Sequence, residues 1–163
     1  MIVQFSIIDI LLIVGIIQGS ILIIVLYFNK KGNKRANRFL SIFIFCFILL
    51  TIGDVLTTTK LLYYYPHFLL VFDPLIFALA PLSYFYVKSL TNKNWSFNLI
   101  SFIHFIPAIL LYLIFSTVYL ENFEIKQDLI IDSYTNYDNS TNYFLMTAVI
   151  QSLIYLLLNL KMI

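Results

Sequence analysis

"PHFLLVFDPLIFALAPLSYFYVKSL" occupies residues 66 to 90. It is apolar over a length that suits the ~30 Å hydrocarbon core of a bilayer, yet it holds Pro66, Pro74, Pro81 and Asp73. A proline inside a helix removes one backbone hydrogen bond and frees the carbonyl four residues earlier. In lipid that carbonyl must find its partner within the protein or a wet cavity, so this segment belongs at the centre of a bundle. Pro74 and Pro81 are seven residues apart, about two turns. The carbonyls of Leu70 and Phe77 therefore fall near one face that needs donors. The same residues admit a second arrangement, with Asp73 as an N-cap, Pro74 as the first helical residue and 68 to 72 extended near the surface.

The rest of the chain agrees with a membrane setting. At 61% hydrophobic and 11% charged residues, with a mean hydropathy of +0.93, there is too little polar surface to coat a soluble globule. Five mostly apolar runs have the length of a membrane-spanning helix: 7–28, 39–58, 68–88, 99–120 and 143–160. The first is not a secretory signal, because no Lys or Arg precedes it and its apolar run is too long. Of its 22 residues, 16 are Ile, Leu, Val or Phe, each contributing roughly −0.3 to −0.6 kcal/mol to insertion, and Asp9 near the edge cannot outweigh that sum. The expected fold is all-α: one transmembrane domain over 1–163, five spanning helices and a polar loop at 121–142.

Charge placement sets the orientation. Lys30, Lys31, Lys34, Arg35, Arg38, Lys88, Lys93 and Lys161 fall on one side, and only Lys60 and Lys126 on the other. The side with two basic residues also receives Glu121, Glu124, Asp128, Asp132 and Asp138. The positive-inside rule then puts the N-terminus outside and the C-terminus in the cytoplasm. The basic turn "NKKGNKRANR" is read as a topology determinant and not as a nucleic-acid site.

Ionisable residues inside such runs are expensive in lipid unless they face the bundle or a cavity. Asp9, Asp54, Asp73 and His67 all fall in the outer third. They are the candidate ligand-sensing set, suited to a cationic or hydrogen-bonding small ligand or to protons, with separate interfacial or capping roles as the alternative. Gly15 and Gly19 in "GIIQG" form a flat stripe that permits close packing, within the chain or in a homodimer, and Gln18 adds a polar group beside it. His104, before Pro107, is read as a hydrogen-bonded packing residue, and Cys46 as a packed thiol.

No nucleophile elbow, phosphate loop or Cys/His metal spacing occurs, so neither catalysis, a cofactor nor a metal is expected. "DSYTNYDNS" lacks the Gly and distal Glu of a calcium loop. "NWS" and "NST" match the glycosylation pattern, but the pattern is too frequent to carry weight and "NWS" falls on the cytoplasmic side.

Taken in order, "GIIQG", "RANRFL", "YYPHF", "PLIFALAPLSYFYVKSL" and "HFIP" resemble the membrane-embedded N-terminal half of bacterial AraC-type helix-turn-helix regulators. The resemblance covers nearly the whole chain. It implies structural or signal-transmitting roles for Gly15, Gln18, Gly19, Asn37, Pro66, His67, Pro74, Pro81, Tyr84, Tyr86, His104, Phe105 and Pro107. It also implies a multi-pass protein of the bacterial inner membrane, acting as the input module of a one-component transcription regulator. The sequence stops at "LNLKMI" without a helix-turn-helix, so the expected partners are the lipid bilayer and a small outer ligand, with DNA reached only through a downstream domain. The alternatives are a small transporter or channel subunit, and the membrane input domain of a sensor kinase.

Overall fold

The computed structural model describes residues 2–29, 32–92, 94–135 and 140–162. Lys30, Lys31, Lys93 and Asp138 lie outside them, as do parts of "DSYTNYDNS" and "NST". Among the described residues all regular structure is helical, and five helical stretches are long and apolar enough to cross a membrane.

Ser6 starts the first helix, α1 (Ile7–Phe28), through a capping box: its hydroxyl accepts from the Asp9 N–H while its own N–H donates to the Asp9 carboxylate. This satisfies donors that the first turn would otherwise leave open. Asn33 does the same for α2 (Lys34–Thr58), accepting from the N–H groups of Arg35 and Ala36. α1 lies against α2 where Gly19 removes a side chain: a Cβ there would sit 3.0 Å from Ile48 Cδ1 and 3.4 Å from Ile44 Cγ2. Away from this stripe α1 exposes Ile10, Leu11, Val14, Ile17 and Ile21. A continuous apolar face of that size suits lipid and not water.

The third segment departs from the expected single helix over 68–88. Short 3-10 turns occupy Leu61–Tyr63, Pro66–Phe68 and Asp73–Leu75, and the α-helix α3 runs only from Ile76 to Thr91. Leu70 adopts a left-handed φ of 60°, which no α-helix accommodates. Pro74 also disfavours helical backbone at Asp73. Its ring sits in the first turn of the Asp73–Leu75 stretch, closer to the arrangement with proline as an opening residue. Gly53 on α2 leaves room for Phe72 of this broken stretch, since a Cβ there would meet the ring at 3.3 Å.

α3 is the centre of the bundle. Phe77, Ala78 and Leu82 form the core with Cys46 of α2, Ala108 of α4 (Ile106–Tyr119) and Ala148 of α6 (Ser140–Leu160). Small residues at three of these contacts let backbones approach, as packing between membrane helices requires. The fourth span opens with a 3-10 stretch, Leu99–Phe105, and becomes α-helical at Ile106, where Pro107 has no N–H to leave unpaired.

The expected polar loop at 121–142 contains a helix, α5 (Phe123–Thr135). Lys126, Gln127, Ile130 and Tyr134 recur at helical spacing and form its inward face, with Ile130 fully buried. Glu124, Asp128 and Asp132 lie on the exposed side.

The two ends of the bundle differ in chemistry. The seven Asp and Glu residues among those described all lie toward one end. At the other end, Asn33 Nδ2 donates to the Ser89 carbonyl at 2.5 Å, tying the start of α2 to the end of α3. Beside it Phe85, 1% exposed, stacks on Trp95 with centroids 5.5 Å apart.

Candidate functional site

The broken stretch before α3 is held by side chains from elements that follow it in the chain. Tyr119 Oη donates to the Leu70 carbonyl at 2.9 Å, and Tyr112 Oη to the Val71 carbonyl at 3.0 Å. Both tyrosines come from one face of α4, two turns apart. Further along, Gln151 Nε2 of α6 donates to the Phe77 carbonyl at 3.0 Å, the group that Pro81 deprives of its helical donor. Leu70 and Phe77, whose carbonyls proline spacing marks as needing partners, both receive one.

α5 closes over this stretch with three further bonds. Gln127 Nε2 donates to the Tyr63 carbonyl at 3.0 Å, and Tyr134 Oη to the Thr57 carbonyl at 2.8 Å. Lys126, only 4% exposed, donates from Nζ to the Tyr119 carbonyl at 2.8 Å. A cation on the last carbonyls of a helix complements its dipole, so Lys126 acts as a C-terminal clamp on α4. Burial pushes the Tyr134 phenol above its ordinary range, so it stays a neutral donor.

The structure brings together two of the four candidate sensing residues. Asp54 on α2 and Asp73 before α3 lie beside packed neighbours, since Gly53 meets the Phe72 ring and both α2 and α4 contact the Asp73–Leu75 turn. No described donor hydrogen-bonds either carboxylate, so both are available to a ligand that supplies donors. Asp9 is used otherwise. It is 1% exposed and accepts from Ser6 N at 2.7 Å, Ser6 Oγ at 2.7 Å and Thr58 Oγ1 at 2.5 Å, which fastens the start of α1 to the end of α2. His67 is exposed, with its ring 6.1 Å from that of Phe123 on α5. The arrangement is therefore a carboxylate pair beside two tyrosines, with Asp9 in a structural knot and His67 under α5.

The residues assigned to packing or transmission also separate. Gly19 contacts α2, whereas a Cβ at Gly15 would meet nothing within 4 Å. Gln18 is exposed on α1. Pro81 sits within α3 and Pro74 and Pro107 open helical turns. His104 Nδ1 and Tyr155 Oη are 2.6 Å apart, and the imidazole packs 5.5 Å from Tyr84 and 5.2 Å from Phe85. Lys88 Nζ reaches Tyr84 Oη at 3.2 Å and lies over the rings of Tyr84 and Trp95.

Sequence reasoning missed Tyr112, Tyr119, Gln151 and Lys126. A signal existed for the first two: polar hydroxyls seven residues apart on an otherwise apolar helix face one neighbour. Gln151 is likewise an amide in the middle of an apolar run.

No family model matches the chain, and neither does any curated protein or solved structure.

Proposed function

We propose that this chain is the membrane-embedded sensory input of a one-component, AraC-type transcription regulator in the bacterial inner membrane, with the acidic end outside and the C-terminus in the cytoplasm. The observation that carries the sensing part is the continuity of the third segment. One stretch of backbone holds the Leu70 and Val71 carbonyls that Tyr119 and Tyr112 engage, then Asp73 near Asp54, then the Phe77 carbonyl that Gln151 engages, and ends at Lys88 and Ser89 at the basic end. A cationic ligand engaging the pair would pull on Asp73, two residues from the Val71 carbonyl that Tyr112 holds. A ligand shifts such an equilibrium only by binding two packings unequally, and the interrupted stretch supplies an element able to repack. The sequence resemblance supports the regulator class, with DNA contact assigned to a domain following α6.

Trp95, the single tryptophan, reports the far end of this path. In proteoliposomes, spermidine or acid applied on the acidic side is expected to change Trp95 emission, and Asp54→Asn with Asp73→Asn to abolish the change. Emission indifferent to both probes overturns the sensing reading. A helix-turn-helix domain fused after Ile163 is expected to make reporter transcription follow the same probes, whereas uptake of labelled spermidine into the vesicles would favour a transporter.

A further inference from the structure

At the basic end, three cavities meet at Arg38. Two are clefts of mixed lining, of about 500 and 630 Å³, that share Lys34 and Arg38, and Arg35 borders the second. The third, about 650 Å³, is an almost wholly apolar groove between α2, α3 and the start of the fourth span, with Arg35 and Arg38 at its mouth and Phe39, Cys46, Leu82 and Phe105 along its wall. This size is that of a small-ligand site. Its wall is almost wholly apolar, and the exposed Arg35 and Arg38 border it.

We infer that this groove binds one anionic phospholipid of the membrane, with the phosphate at Arg35 and Arg38 and an acyl chain laid along the apolar wall. Charge complementarity selects the occupant. Both arginines are exposed and neither has an acidic or hydrogen-bonding side-chain partner among the described residues. No Asp or Glu among the described residues lies at this end, because all seven lie toward the opposite one. Guanidinium groups bind phosphate by paired, charge-assisted hydrogen bonds, and basic pockets between membrane helices attract acidic headgroups. A zwitterionic lipid fills the groove equally well but adds an ammonium beside two unpaired cations. A soluble phosphate satisfies the arginines and leaves the apolar wall bare. The inference concerns lipid recognition and is independent of what the acidic end senses.

Trp95 supplies the test, since it lies 6.4 Å by ring centroids from Phe97, which lines the groove. The full chain is reconstituted in nanodiscs, and quenching of Trp95 is compared for phosphatidylglycerol and phosphatidylcholine carrying the same brominated acyl chains. Phosphatidylglycerol is expected to quench about 25-fold more effectively, about fivefold for each of two arginine–headgroup contacts. Arg38→Gln should lower that preference about fivefold, and Arg35→Gln with Arg38→Gln should remove it. Arg35→Lys with Arg38→Lys should keep most of it, and Lys161→Gln, which removes one charge from the same end away from the groove, should leave it unchanged. Equal quenching by the two lipids in the unaltered chain, or an equal loss with Lys161→Gln and Arg38→Gln, overturns the inference. So does the absence of quenching by either lipid, which would mean that protein, a second copy or another part of the chain, fills the groove.

Discussion

Gln151 Nε2 lies 3.0 Å from the carbonyl oxygen of Phe77, the one acceptor in α3 that Pro81 leaves without a helical donor. An amide on the last span therefore completes a helix in the third. The pairing makes a proline tolerable in the most buried segment of a membrane bundle, where an orphan carbonyl has no water to turn to.

Removing that amide with Gln151→Leu is expected to destabilise the bundle by about 1–2 kcal/mol, the range for leaving a buried acceptor unsatisfied. In a Pro81→Ala background the restored N–H can bond Phe77, so the same change should be nearly neutral. Labelling of the buried Cys46 thiol, the single cysteine, by a fluorogenic maleimide during heating measures both. Equal losses in the two backgrounds would show that Gln151 matters for its packing and not for its bond.

Tyr112→Phe and Tyr119→Phe should each cost about 0.5–1.5 kcal/mol. Their effect should be concentrated in the broken stretch, so hydrogen exchange at 69–73 should accelerate while the amides of α1 keep their protection. Uniform acceleration across the bundle would assign the tyrosines a global role.

The two glycines of α1 should respond oppositely to an added side chain. Gly19→Val forces Ile48 and Ile44 aside and should lose about 1–3 kcal/mol. Gly15→Ala meets open space and should be neutral or gain up to about 1 kcal/mol from helix propensity. A marked loss with Gly15→Ala, accompanied by dissociation of a dimer in detergent, would place a second copy of the chain against that face.

Asp9→Ala should lower stability by about 1–2 kcal/mol through loss of the cap and of its bond to Thr58, whereas Asp54→Asn and Asp73→Asn should leave Cys46 labelling unchanged within about 0.5 kcal/mol. This contrast separates a structural carboxylate from two that await a ligand.

Lys60→Gly should stabilise the turn after α2 by about 0.5–1 kcal/mol, because Lys60 sits at a φ of 62°, where a side chain meets its own backbone.

Hydrophobic length alone made four of the spans legible. The first, 7–28, has the limits that Ser6 and Asn29 impose on α1, and proline spacing pointed to the carbonyls of Leu70 and Phe77. Depth along the chain also grouped Asp9, Asp54, Asp73 and His67 correctly at one end. What depth cannot supply is rotation about each helix, and rotation decides that Asp9 turns to Thr58 while Asp54 turns to Asp73. α5 escaped for a related reason: Glu124, Asp128 and Asp132 dominate the average polarity of its stretch, and its inward face includes Lys126, which reads as a surface charge until its ammonium is seen on the Tyr119 carbonyl. The lipid groove is invisible to linear reading altogether, since Arg38, Leu82 and Phe105 belong to three different spans.

The bond between Phe77 and Gln151 spans 74 residues of chain, which bears on biogenesis. The α1–α2 hairpin can form as soon as it enters the lipid, because its contacts are local. α3 cannot settle then. It can complete that bond only after α6 has been synthesised and delivers the missing amide.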